Sequence, residues 1–217
     1  MIPRKIAKTI YDKVYVKLFP DYRTELRKIV KGNRTLLDVG CGSNSPIKSF
    51  SHKLHTEGVD CFEPSIKKSQ EKEIHNKYHK INLMHLSKKI ENKSFDCVLA
   101  SDVIEHFTKK EGEKLIEMIE SIAKKKVIIY TPNGFLKQGE YDNNPWQVHK
   151  SGWYVKEMQK RGYKVIGIHG HKSLRKEYAN LRYKPKFFWQ VFSDITQLFT
   201  RNNPKYAFQI LCVKKLK

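Results

Sequence analysis

An apolar run enters a glycine turn at Leu36-Leu37-Asp38-Val39-Gly40-Cys41-Gly42, and a lone acid follows twenty residues after Gly40, in Gly58-Val59-Asp60. This pairing constrains the chain more than any other feature. A strand that ends in a tight glycine turn lets the backbone approach a ligand. A carboxylate at the end of the next strand can then accept hydrogen bonds from two ribose hydroxyls. The spacing predicts a nucleoside-cofactor site at the carboxyl ends of neighbouring strands, with Asp60 as the ribose acceptor.

The glycine pattern also separates the candidate nucleosides. A dinucleotide fingerprint wants a third Gly or Ala, so that the following helix packs on the strand and aims its N-terminus at a pyrophosphate. Here Ser45 and Pro46 stand at that place. Asp38, just before the first glycine, repels a pyrophosphate but suits a ligand carrying an ammonium and a sulfonium. The charge logic favours S-adenosyl-L-methionine over NAD.

With Ser94-Phe95-Asp96-Cys97-Val98-Leu99-Ala100-Ser101-Asp102-Val103-Ile104-Glu105-His106 added to these two segments, the chain resembles the class I S-adenosylmethionine-dependent methyltransferases over roughly residues 30 to 170. The third segment looks like that family's fourth strand and the loop after it. What the resemblance implies is an α/β fold: a Rossmann-like, seven-stranded, mainly parallel sheet with helices on both faces and the last strand antiparallel. It also implies that the cofactor is held by Asp38, Gly40, Cys41 and Gly42 on the first turn, by Asp60 and Cys61 on the second, and by Ser101 after the fourth strand. The acid expected on the third strand is missing. Asn82 is the nearest polar candidate, with Leu83 beside it.

At 217 residues the chain suits one α/β domain over 1–217. The alternation of patterns predicts strands at 35–39, 56–60, 77–82, 96–100, 126–130, 163–169 and 206–213. Thr108 and Glu111 have capping-box spacing, and Leu115, Met118, Ile119 and Ile122 continue a helix that meets Lys124-Lys125-Lys126 at its negative end. A second helix is expected from 151 to 161, stopped by Gly162. Cys41, Cys61, Cys97 and Cys212 include no Cys-x-x-Cys pair and read as small core residues in a reducing compartment. No apolar run reaches the ~18 residues of a membrane span, and no signal-peptide pattern opens the sequence, so the expected location is cytoplasmic.

The net charge is +21, concentrated at the two ends: residues 1–34 hold ten Lys or Arg against three acids, and residues 170–217 hold eleven against two. Charge of this kind speaks first to solubility. Ends that flank a site mouth would instead favour an anionic acceptor or an anionic membrane surface. Residues 1–31 form amphipathic helices, with Ile6, Ile10, Val14 and Leu18 and then Leu26, Ile29 and Val30, that either cap the pocket or pack on the sheet edge. Residues 170–204 form a basic, aromatic insertion. In it Phe187, Phe188, Trp189, Val191, Phe192, Ile195, Leu198 and Phe199 make one wide face, opposite Gln190, Ser193, Asp194 and Gln197. Such a helix is either a buried lid or a membrane-interface element.

Methyl transfer to oxygen needs a proton acceptor. His149, in the loop after the fifth strand near Trp146 and Trp153, is the first candidate, followed by His106 and by Asp102. Glu105, His106 and His149 could ligate a metal in principle. They lack the tight helical spacing of a zinc motif, so no metal is expected. The reading is a methyltransferase for a small-molecule, glycan or lipid-precursor acceptor, acting on oxygen. The alternatives are an RNA methyltransferase and a noncatalytic, membrane-associated cofactor-binding protein. No Asn/Asp-Pro-Pro-aromatic segment or Pro-Cys nucleophile is present, which weighs against nucleic acid. Oligomeric state is open.

Overall fold

The computed structural model describes residues 19, 21–140 and 144–216. The expected amphipathic positions Ile6, Ile10, Val14 and Leu18 lie outside them. The strands are β1 (Thr35–Val39), β2 (His55–Asp60), β3 (Lys77–Lys80), β4 (Phe95–Ser101), β5 (Ala123–Pro132), β6 (Lys164–His171) and β7 (Ala207–Lys215). They lie in the order β3-β2-β1-β4-β5-β7-β6. Pairing is parallel from β3 to β5, and β7 runs antiparallel to both β5 and β6. The order reverses between β1 and β4, so their carboxyl ends open a crevice there.

Period-two alternation sorts the strand side chains onto two cores. Leu37, Val39, Val98, Ala100, Val127 and Ile129 face one side, where α3 (Lys109–Ile122) lays down Leu115, Ile116, Ile119 and Ile122. Leu36, Cys97, Leu99, Ile128 and Tyr130 face the other, covered by Tyr22, Leu26 and Val30 of α1 (Tyr22–Val30). Burying each of the four α3 side chains contributes about 1.5–3 kcal/mol, which makes this stripe the chief attachment of its helix. The remaining helices are α2 (Glu63–Glu71), α4 (Val155–Lys160) and α5 (Lys186–Thr200).

Three local expectations change. The Thr108 and Glu111 capping box forms, but α3 passes straight into β5 at Ala123. Lys124-Lys125-Lys126 are therefore strand residues; Lys125 pairs with Asp96 at 2.9 Å and Lys126 donates to the Ile29 carbonyl at 2.8 Å. The helix expected from residue 151 starts only at Val155, because the Ser151 N–H is spent on the Glu105 carbonyl and Trp153 bridges to Asn133 and Gly134. It does stop at Gly162, which has φ +85°.

The third change concerns α5, which is built inside out. Ser193, Gln197 and Thr200 are buried, whereas Phe187 is 79% exposed and Phe188, Ile195, Leu198 and Phe199 all exceed half exposure. The helix approaches β6 so closely that a side chain on Gly167 or Gly170 would collide with the backbone carbonyls of Thr200 and Ser193. Only short polar groups fit this contact. Gln197 accepts from the Gly170 N–H and donates to the Gly167 carbonyl, both at 2.7 Å. The aromatic face is thus not a buried lid. No helix among the described residues is long and apolar enough to cross a membrane.

Candidate active site

The crevice at the carboxyl end of β1, reached by the turns after β2 and β4, carries the predicted cofactor residues. Gly40 and Gly42 have φ of +69° and +56°, and the N–H groups of Gly40 and Cys41 both bond the Val59 carbonyl, turning the chain back beneath the crevice. Asp60 accepts from the Gly42 N–H at 2.9 Å and the Phe62 N–H at 2.8 Å. Each carboxylate oxygen keeps a second lone pair for a ribose hydroxyl. Burial raises the Asp60 carboxyl above its usual range, against the lowering effect of these backbone bonds. Asp38 is buried and accepts from Ser45 Oγ and from His75 Nε2, the latter at 3.0 Å. Its carboxyl sits at the crevice floor. Asn82 caps the turn Leu83–Lys88 through its own Oδ1, and with Leu83, Asp60 and Cys61 it closes the far end of the crevice. Burial pushes the Cys61 thiol up to about 11, so it is a packing group rather than a nucleophile.

Beside the crevice lies a cavity of about 610 Å³ lined by Tyr22, Ser101, Asp102, His106, Tyr130, Gln138, Gln147, His149 and His169. Asp102 borders both this cavity and the cofactor crevice. It is a non-glycine residue with φ +52°, a conformation in which strain is stored at functional sites. Tyr22 of α1 stacks on Tyr130 at 3.7 Å, so α1 both packs on the sheet and walls the cavity.

The family model described as "Methyltransferase domain" matches residues 37–131, which run from the glycine turn through β5. Over that segment the chain carries a methyltransferase domain. Its fold is similar to that of a SAM-dependent methyltransferase from Archaeoglobus fulgidus, at 17% identity and TM-score 0.56, over 95% of this chain and 100% of that one. YcgJ of Bacillus subtilis is similar at 15% identity and TM-score 0.54, over 90% and 98%. The plantazolicin methyltransferase BpumL, solved with SAH, is similar at 14% identity and TM-score 0.52, over 99% and 90%. Among curated proteins none matches by sequence.

In the larger cavity the fold brings together what the sequence scatters. The rings of His106 and His149 stand 4.9 Å apart. His149 Nδ1 faces the Leu136 carbonyl at 2.7 Å and His106 Nδ1 the Val148 carbonyl at 3.3 Å, an arrangement in which both nitrogens donate. Burial is the main cause of both imidazoles' lowered pKa, which for His106 falls to about 4. Asp102 Oδ1 accepts from Gln209 Nε2 at 2.9 Å, and Gln209 Oε1 accepts from Tyr130 Oη at 2.7 Å. Asp102 is open to the cavity, yet desolvation between the cavity walls lifts its carboxyl to about 7, and burial drives the adjacent Glu105 up as well. Of the two tryptophans near His149 in the sequence, Trp153 is fully buried with its indole N–H on Ser151 Oγ, whereas Trp146 is 44% exposed. Sequence reasoning had missed His75, Tyr130, His169 and Gln209. Period two places Tyr130 and Gln209 on facing strands, but only the β5–β7 register shows that they meet.

Proposed function

We propose that this chain is an S-adenosylmethionine-dependent methyltransferase of class I that moves the methyl group to an oxygen of a small polar acceptor, or of a glycan or lipid precursor, with residues 1–217 acting as one domain. The observation that carries the reading is the position of Asp102, which borders the cofactor crevice and the larger cavity at once. An acceptor hydroxyl in that cavity can face the methyl carbon from the side opposite sulfur while its proton goes to Asp102. The histidine pair suits acceptor placement better than proton removal, since burial lowers the basicity of both imidazoles. Asp102→Asn tests the role: turnover should fall by ~10² or more with cofactor affinity unchanged. Wild-type turnover in that variant would return the proton to His149. Transfer of labelled methyl to separated lipid, glycan and RNA fractions tests the acceptor, and label confined to RNA would overturn this reading.

A second observation favours acceptors held at an anionic membrane. The outward aromatic face of α5 begins beside exposed Lys184 and Lys186 and meets Tyr206, which carries exposed Lys205 over its ring, while Tyr178 of the same region lines the cavity. Apolar side chains with cations beside them match the acyl and headgroup layers of such a surface. Sedimentation with phosphatidylglycerol vesicles, but not with phosphatidylcholine vesicles, is the expected result. Binding to neither vesicle overturns the membrane role, and a dimer dissociated by Phe187→Glu assigns the face to a second copy.

A further inference from the structure

Glu105 is 2% exposed, and one of its oxygens has nothing to do. Oε2 accepts from Thr131 Oγ1 at 2.9 Å, whereas Oε1 is buried without a hydrogen-bond partner. A bare carboxylate oxygen away from water is costly, and native structures keep one for a reason. Beside it stand the two imidazoles. With each Nδ1 donating to a carbonyl, the lone pairs are left on Nε2, the tautomer in which histidine binds a metal and in which the carbonyl serves as the outer partner. One ligand atom from each of Glu105, His106 and His149 lies within 4.8 Å of the others. Ligands on one ion at bonds of ~2.1 Å stand roughly 3 to 4 Å apart, so small side-chain rotations complete the set.

The site is held in shape without any ion. The N–H groups of Lys150 and Ser151 both bond the Glu105 carbonyl, at 2.8 and 3.1 Å, fixing the His149 loop to the turn that carries Glu105 and His106. Gln138 Nε2 and the Gln147 carbonyl, 3.1 Å apart, tie the same loop from its other side.

We propose that Glu105, His106 and His149 bind a divalent first-row transition ion of the zinc or manganese kind on the wall of the acceptor cavity, and that its open positions take two adjacent oxygens of the acceptor. Two imidazoles and one carboxylate disfavour magnesium and calcium, which prefer all-oxygen sets. Three protein ligands leave the rest of the coordination sphere facing the cavity. The acceptor class is therefore a vicinal diol, a catechol or an α-hydroxy acid. This rests on the methyl-transfer reading above. The ion binds the hydroxyl and eases loss of its proton to the Asp102 carboxylate. The oxygen pair then forms a bond to the methyl carbon as the carbon–sulfur bond breaks, its electrons staying on sulfur. The products are an ether, neutral S-adenosylhomocysteine and protonated Asp102, with the ion unchanged in charge.

The test is titration of the chelator-treated full chain with cobalt(II) and with zinc(II), followed by calorimetry and, for cobalt, by visible absorbance. One equivalent should bind. Glu105→Gln, His106→Gln and His149→Ala should each weaken binding at least tenfold, and variants that retain wild-type S-adenosylmethionine affinity exclude unfolding as the cause. Catechol should shift the cobalt spectrum where phenol does not. No cobalt binding, or binding untouched by all three substitutions, overturns the site and leaves methyl transfer, measured separately with labelled cofactor, standing. An equal response to phenol overturns the two-oxygen acceptor.

Discussion

Gly40 and Gly42 share a left-handed backbone but not their surroundings, and this difference yields a test of the cofactor crevice. A Cβ on Gly40 would lie 2.5 Å from Val103 Cγ2, whereas a Cβ on Gly42 meets nothing within 4 Å and opens into the crevice. Valine at either position pays for its φ with about 1–2 kcal/mol. At Gly40 the collision with buried Val103 adds overpacking of about 1–3 kcal/mol. For a chain of this length, 1 kcal/mol moves the melting midpoint by about 2–4 °C. Gly42→Val should therefore lower Tm by about 2–8 °C and Gly40→Val by roughly twice as much. Calorimetry with S-adenosylmethionine separates fold from site. Gly42→Val should lose at least tenfold in affinity while still melting cooperatively, because its side chain occupies space the cofactor needs. Wild-type affinity in Gly42→Val would refute the placement of the cofactor against this turn.

Asp60→Asn keeps the size of the side chain but gives up charge-assisted bonds worth about 1.5–3 kcal/mol, so S-adenosylhomocysteine affinity should fall at least tenfold by calorimetry. Gln197→Leu strips two buried backbone groups of β6 of their partners and should cost about 2–4 kcal/mol in urea unfolding, whereas Phe187→Ser, on the outward face of the same helix, should stay within about 0.5 kcal/mol. Burial, reinforced by the Arg175 charge, lowers the pKa of His169. The unfolded chain then binds the proton more readily, so stability is full above about pH 6.5 and is lost as pH falls from there through the lowered folded value. The fall in Tm between pH 7 and pH 5 should be smaller in His169→Gln than in the wild type, and an equal slope would remove His169 from that account.

The crevice at the end of β1 was legible in the sequence because its determinants are local. A strand, two glycines in one turn and an acid at the end of the next strand each act through neighbours in the chain or through a single parallel pairing, and β1 to β5 form close to where the apolar runs place them. The neighbouring cavity was only partly legible. Asp102, His106 and His149 could be named as candidates, but Gln209 reaches Asp102 across 107 positions of sequence, and His149 meets His106 only because its loop is bound to the Glu105 carbonyl. Such convergence leaves no periodic trace. The α5 pattern specified two faces and not which one turns inward. That choice was made by Gly167 and Gly170, whose bare backbone draws the helix too close for anything but short polar side chains and so leaves the aromatic face outward.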